Sequence, residues 1–187
     1  MLQKDVKVWD IVVRIFHWGL VLAFIISFVS EDDFMQVHAY AGYFIGALLL
    51  MRTLWGVVGS RYARFSDFVK PPAEVNAHLQ DVMHFRSKRY IGHNPLGGWM
   101  IIALIVSLSL TVMTGLVTYG AAEHAGPLAN LMFGLPGFIA DGFEELHEGL
   151  ANFTLLLVFI HVLGVAFESL VHGENLVSAM ITGKKHI

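Results

Sequence analysis

The stretch that decides the fold runs from Trp99 to Tyr119, WMIIALIVSLSLTVMTGLVTY, and contains no charged side chain. A helix crosses about 30 Å of hydrocarbon with roughly 20 residues, so this stretch is long enough to span a membrane. Three other apolar stretches have a similar length, at about 11–29, 37–58 and 146–171. The sequence therefore predicts an all-α membrane protein, in which residues 1–187 form a single four-transmembrane-helix bundle.

The composition also favours a membrane protein. Apolar residues make up 56% of the chain and charged residues 14%, whereas soluble domains average about 45–50% and about 25%. There is no cysteine, which excludes disulfides, thiolate metal sites, iron–sulfur clusters and covalently attached c-type haem. No nucleic-acid partner is expected. Ten histidines in so apolar a chain are unusual and require an explanation.

The charge distribution predicts the orientation in the membrane. All twelve Lys and Arg residues lie at the two termini, including Lys4, Lys7 and Arg14, or in and beside the connection at about 59–98. The other two connections carry only acidic charge, from Glu31, Asp32, Asp33, Glu123, Asp141, Glu144 and Glu145. Because cytoplasmic loops are enriched in Lys and Arg, both termini are predicted to be cytoplasmic.

The ends of the first apolar stretch and the two longer connections carry further signals. Arg14 and His17 interrupt the first stretch and no small-residue cleavage site follows it, so we interpret it as a retained helix and not a signal peptide. Ala73–Tyr90 is amphipathic and is expected to lie along the membrane surface. The outer connection, about 120–145, alternates apolar patches with Gly and Pro and is expected to form a short cap.

Four histidines lie inside the predicted spanning helices, where an ionisable side chain is costly and usually functional. His38 and His147 open the second and fourth helices at the outer face, whereas His17 and His161 lie in the inner half. The fourteen residues from His147 to His161 make nearly four turns, so both project from one face, about 21 Å apart. A haem iron takes two axial ligands from facing helices. The sequence therefore predicts two haem b, one between His38 and His147 and one between His17 and His161.

Three further residues fit this interpretation. Gly42 and Gly46 follow His38 on the same helix face, where a porphyrin requires close approach of the backbone, although small residues also mark helix–helix contacts. Arg52 faces the core at the depth of the inner haem and is expected to pair with a haem propionate, with snorkelling to the surface as the alternative. The remaining histidines are expected to be solvated, with a quinone contact at His84 or His93 as the alternative; they are His78, His84, His93, His124, His172 and His186.

In these features the chain resembles the bacterial cytochrome b561 and nickel–iron hydrogenase b-type cytochrome superfamily over nearly its whole length. The residues that carry the resemblance are Trp9-Asp10 with Arg14–Trp18, His38-x-x-x-Gly42 leading to Arg52, Gly92–Gly98, and His147 with His161. The resemblance implies a bacterial inner-membrane protein in which His17, His38, His147 and His161 ligate two b haems. The hydrogenase-linked branch commonly has a fifth helix, which is missing here, so the compact four-helix branch is favoured.

The function predicted is transmembrane electron transfer between the quinone pool and a periplasmic partner, such as a c-type cytochrome or a small oxidant. The expected partners are membrane lipid, quinone or quinol, and that redox partner. Two alternatives stay open: a superoxide oxidase that reduces quinone, and a haem-bearing anchor subunit of a larger oxidoreductase. A metal-ion transporter is disfavoured because transporters usually place carboxylates in mid-membrane, and only Glu168, near the inner end of the fourth helix, is available.

The predicted topology can be tested with fusions to alkaline phosphatase, which becomes active only after export to an oxidising compartment. We expect a fusion after the last residue to be inactive and a control fusion after Glu123, in the outer connection, to be active. High phosphatase activity from the C-terminal fusion would overturn the assigned orientation.

Overall fold

A computed structural model describes residues 5–31 and 33–186, without the side chain of His186. Lys4 and Asp32, which contribute to the charge analysis above, lie outside the described residues, as does the solvation expected of the His186 side chain. In chain order the elements are β1 (Asp5–Lys7), α1 (Ile11–Val29), α2 (Met35–Val58), a 3-10 turn (Arg61–Ala63), α3 (Phe65–Phe68), α4 (Pro72–Met83), α5 (Pro95–Ala122), α6 (Ala129–Met132), α7 (Gly137–His172), α8 (Leu176–Thr182) and β2 (Lys184–His186).

Within the described part of the chain, four helices are long and apolar enough to cross a membrane: α1, α2, α5 and α7. The predicted all-α membrane fold with four spanning helices is therefore confirmed. The start of α5 precedes the apolar stretch because Pro95 suits the first turn of a helix. The Asn94 side chain caps this turn, accepting a hydrogen bond of 2.6 Å from the Gly97 amide.

Helix α7 is longer than predicted, since it begins at Gly137 and not near residue 146. The acidic residues Asp141, Glu144 and Glu145 end the apolar stretch, and hydropathy alone therefore places the helix start too late. Glutamate nevertheless favours helix, and acidic side chains near a helix N-terminus interact well with its dipole. The expectation that His147 opens the fourth helix is wrong, because His147 lies ten residues after Gly137.

The two long connections are also partly helical. The amphipathic segment predicted over 73–90 forms a helix only as far as Met83, and Phe85 then adopts a positive φ of 55°. The placement of this segment along the membrane surface stays a prediction. In the outer connection, the backbone of Leu128 packs against Gly120, where an added Cβ would approach to 3.1 Å. The connection thus folds back onto the end of α5.

The chain divides into two compact units, each of which contains a part of all four spanning helices. The first unit comprises Met1–Trp18, Met51–Ala103 and Phe159–Ile187, and the second comprises Gly19–Leu50 and Leu104–Val158. His17 and His161 belong to the first unit, whereas His38 and His147 belong to the second. Each predicted histidine pair therefore lies within one unit.

In the first unit the two ends of the chain are joined. Strand β1 pairs antiparallel with β2, with Val6 opposite Lys185. Gly183 ends α8 with a positive φ of 81°, and its carbonyl accepts hydrogen bonds from the amides of Val8 and Trp9. Lys185 is buried and pairs with Glu174 at 3.1 Å. The pairing brings β1 and β2 together within this unit.

Candidate functional site

In the second unit, His38 of α2 faces His147 of α7. Their ring centroids are 6.0 Å apart and their ring planes meet at 81°. Two imidazoles on opposite sides of one metal, each nitrogen about 2 Å away, place their ring centroids roughly 6 Å apart. The two rings therefore have the separation required of the axial ligands of one iron.

Hydrogen bonds to backbone carbonyls orient both rings. The Nδ1 atom of His38 lies 2.8 Å from the carbonyl oxygen of Ser27, and that of His147 lies 2.9 Å from the carbonyl oxygen of Thr111. A carbonyl only accepts, so each Nδ1 carries the proton and donates it. The proton-free Nε2 is then available to a metal, which is the arrangement typical of metal-bound histidine.

The two carbonyl acceptors are available for different reasons. Ser27 lies in the last turn of α1, where helix carbonyls have no amide four residues later within the helix. His38 therefore caps α1 from the start of α2. Thr111 lies in the middle of α5, and its carbonyl accepts through a second lone pair.

Gly115 of α5 provides the space for the His147 ring, and sequence analysis missed it. A Cβ at this position would lie 2.7 Å from Cε1 of His147, which is far inside van der Waals contact.

The two predicted glycines, Gly42 and Gly46, differ in the space around them. An added Cβ at Gly42 would meet nothing within 4 Å, whereas at Gly46 it would lie 3.3 Å from Val112. Gly42 thus leaves open space beside His38, and Gly46 makes a helix–helix contact with α5.

In the first unit, His17 of α1 and His161 of α7 are both half-buried and close enough to interact electrostatically. The Nδ1 atom of His17 is buried and has no hydrogen-bond partner within residues 5–31 and 33–186. The ring also contacts the edge of Trp18, with 5.0 Å between centroids. This pair is brought together, but the His17 ring lacks the carbonyl bond that orients His38 and His147.

Arg52 lies in the interior of the first unit with 3% of its surface exposed. Its guanidinium carbon is 5.0 Å from the centroid of Phe65, 5.8 Å from that of Phe68 and 6.0 Å from that of Phe16. The buried Nη1 atom has no hydrogen-bond partner in the described part of the chain. The Arg52 side chain therefore stays in the interior of the unit and does not snorkel to the surface. Aromatic faces and the nearby charge of Asp10 offset part of the cost of burying a cation, but the Nη1 atom still lacks a hydrogen-bond acceptor among the described residues.

The expectation that the remaining histidines are solvated is wrong for two of them. His78 is 3% exposed and packs edge-on against Tyr90, with 5.3 Å between centroids. The ring of His93 contacts both Trp9 and Phe68, and burial, together with the positive charge of Arg52, lowers its pKa to about 3. The error arises because a polar connection was assumed to be solvated throughout, although its inner face is buried.

The other histidines among the described side chains are more accessible. His84 and His124 are exposed, and Nδ1 of His84 bonds the carbonyl of Gln80 in its own helix. His172 is half-buried beside Glu168, at 3.3 Å. None of these three lies in either histidine pair described above.

Comparison with known proteins decides the family. The family model described as prokaryotic cytochrome b561 matches residues 8–183. The chain belongs to the prokaryotic cytochrome b561 family. This membership confirms the resemblance inferred from the sequence. It makes the chain a multi-pass protein of the bacterial inner membrane that functions in electron transport with haem b.

Curated relatives cover nearly the whole chain. A protein of Cupriavidus necator is 25% identical over 214 residues, covering 96% of this chain and 86% of the relative. A protein of Azotobacter chroococcum is 26% identical, covering 97% and 88%. A protein of Rhodobacter capsulatus is 24% identical, covering 98% and 82%. Each is named a probable Ni/Fe-hydrogenase B-type cytochrome subunit. No solved structure matches the chain.

The geometry of the second unit predicts that Gly115→Ala will displace the His147 ring and lower the haem content of the purified protein. The measurement is the haem-to-protein ratio by pyridine haemochrome, together with the optical spectrum. Gly149→Ala is the matched control, because Gly149 lies on α7 two residues from His147 and a Cβ there meets nothing within 4 Å. Full haem content in Gly115→Ala would show that the His147 ring is not held in this position.

Proposed function

We propose that the chain holds two haem b, one in each unit, and passes single electrons across the membrane between them. The ligands are His38 with His147 in the second unit and His17 with His161 in the first. The observation that carries the proposal is the His38–His147 pair, whose 6.0 Å separation and Nδ1 hydrogen bonds suit two axial ligands. The first pair is supported by the proximity of His17 to His161 and by the buried Nη1 atom of Arg52, which lacks a hydrogen-bond acceptor within the described part of the chain.

Haem b supplies a one-electron iron couple, and the protein residues determine how that couple is used. Two histidines held against one iron would leave no open position for oxygen, which would favour electron transfer over oxygen chemistry. The carbonyls of Ser27 and Thr111 hold the two outer rings in one tautomer. Arg52 binds a propionate of the inner haem, because a carboxylate is the anion that its buried Nη1 lacks.

We further propose that both termini are cytoplasmic and that the His38–His147 pair lies near the periplasmic face. The support is the location of all twelve cations and the pairing of β1 with β2, which requires both termini to share one side. In this orientation His38 and His147 would hold a haem within reach of a periplasmic partner. His17 and His161 would hold one on the side from which we propose that membrane quinone is reached.

Two candidates for the periplasmic partner have specific support. The exposed carboxylates Glu144 and Glu145, in the first turns of α7, would attract a basic c-type cytochrome through long-range charge. The hydrogenase names of the relatives favour the other candidate, a nickel–iron hydrogenase for which this chain is the membrane subunit. We favour the hydrogenase-type partner, because the relatives align over nearly the full chain. A superoxide oxidase remains the enzyme alternative.

Substitution of single ligands tests the two-haem proposal. We expect two haem b per wild-type chain, with His17→Ala removing the inner haem and His38→Ala the outer, because each iron would lose one of its two axial ligands. Pyridine haemochrome counting and redox titration of the optical spectrum distinguish the haems. The control is His84→Ala, an exposed histidine outside both pairs. One haem per wild-type chain, or loss of the same haem in both variants, would contradict the proposal.

Co-purification tests the partner. An affinity-tagged chain, expressed at native level and extracted in mild detergent, is expected to retain a soluble subunit that contains nickel and iron. Metal analysis and mass spectrometry of the eluate identify it. A Glu144→Gln, Glu145→Gln double variant serves as the comparison, since the loss of a bound c-type cytochrome in this variant alone would assign the partner to that class instead.

A further inference from the structure

His93 is half-buried in the first unit and takes no part in either histidine pair. Its ring centroid lies 4.5 Å from that of Trp9 and 4.7 Å from that of Phe68. The Nδ1 atom is buried without a hydrogen-bond partner among the described residues. A buried polar atom left unpaired costs about 1–3 kcal/mol, so one in this position requires an explanation.

Arg52 approaches the same phenylalanine. Its guanidinium carbon lies 5.8 Å from the Phe68 centroid, and its Nη1 is likewise buried and unpaired within the described ranges. Phe68 itself is 1% exposed, so the His93 and Arg52 side chains approach one buried ring. Arg52 Nη1 and His93 Nδ1 are thus two buried donors in one region that lack acceptors among the described residues. An anion with more than one oxygen, such as a carboxylate, could accept a hydrogen bond from each of them.

The local sequence positions His93 closely. A Cβ at Gly92 would lie 2.9 Å from Cδ1 of Tyr62, and one at Gly98 would lie 2.4 Å from the carbonyl oxygen of Phe68. Between these two close approaches, Asn94 caps the first turn of α5. The segment Gly92–Gly98 is therefore held against the connection that carries Phe68, and the His93 ring has a defined position just before α5.

We infer that His93 donates a hydrogen bond from Nδ1 to the inner-haem propionate that Arg52 binds, and so acts as a positioning residue for that haem. The inference rests on the proposed function, because it requires the haem between His17 and His161. His93 lies close enough to His161 to interact electrostatically with it, which places the donor near that haem's ligand. An imidazole ring has at least one N–H to donate, and Nδ1 is the buried nitrogen that lacks a partner within the described ranges.

Two substitutions separate hydrogen bonding from packing. His93→Phe keeps an aromatic ring between Trp9 and Phe68 but removes the donor, whereas His93→Asn keeps an N–H near the position of Nδ1. A propionate that has lost a hydrogen bond presents more of its negative charge to the iron and so stabilises the ferric form, and His93→Phe should therefore lower the midpoint potential of the inner haem. We expect the ratio of reduced to oxidised inner haem at fixed potential to fall by up to about tenfold, which is 59 mV for one electron.

The measurement is a redox titration of the full-length protein with both haems, and the inner haem is the component that is missing in His17→Ala. His93→Asn should retain the wild-type potential, the outer haem should be unchanged, and the control His84→Phe should have no effect. Loss of the inner haem in His93→Phe but not in His93→Asn would also support the inference. An unchanged inner potential in His93→Phe, or loss of the inner haem in both variants, would assign His93 to packing alone. A wild-type chain with a single haem would instead refute the proposed function itself, and the haem count on the same samples distinguishes the two failures.

Discussion

The structure depends on one constraint, which is that an ionisable or polar group inside a membrane helix must find a partner in the protein. The His38 ring satisfies this by bonding the Ser27 carbonyl, and the His147 ring by bonding the Thr111 carbonyl. Both acceptors are backbone atoms of a neighbouring helix, so the bonds orient the rings and join helices at the same time. Such a bond uses one ring nitrogen and leaves the other for a metal. The requirement for polar partners and the requirement for ligand orientation are met by the same contact.

The sequence was sufficient for the features that depend on hydropathy and helical periodicity. Four spanning helices follow from four apolar stretches, and the grouping of His38 with His147 follows from the helix rise. The ends of the helices were less predictable, since α7 continues through Glu144 and Glu145, where hydropathy is low but helix propensity is high. Gly115 could not have been assigned to His147 from the sequence, because its role depends on how closely α5 approaches α7. The burial of His93 has the same cause, since it arises from contacts with residues distant in the chain, Trp9 and Phe68.

The connection between α2 and α5 has a larger role than its polar composition suggests. Phe65 and Phe68 of this connection surround the guanidinium of Arg52, a residue of α2. Gly92 and Gly98 are both positions where a side chain would collide with the packed connection. Asp10, just before α1, is tied to the end of α2 by a hydrogen bond of 3.0 Å from the Trp55 indole. Burial alone would raise the pKa of Asp10, but hydrogen bonds from Ser60, Trp55 and the Val13 amide outweigh it and lower that pKa. The carboxylate thus stays charged near the buried arginine.

The charges around the two histidine pairs are of opposite sign, and this difference bears on the direction of electron flow. Arg52 is buried in the first unit, whereas Glu31 and Glu148 interact electrostatically with His147 in the second. A nearby cation stabilises the reduced form of a haem, because reduction removes one positive charge from the iron, and nearby anions stabilise the oxidised form. Haem propionates would offset part of the Arg52 charge in the first unit. The described residues of the second unit include no buried cation that could offset the negative charge of propionates there. Asp10 offsets a further part of the Arg52 charge. Haems held at these two pairs, as proposed, would therefore differ in potential, and the buried cation would favour the higher potential in the first unit.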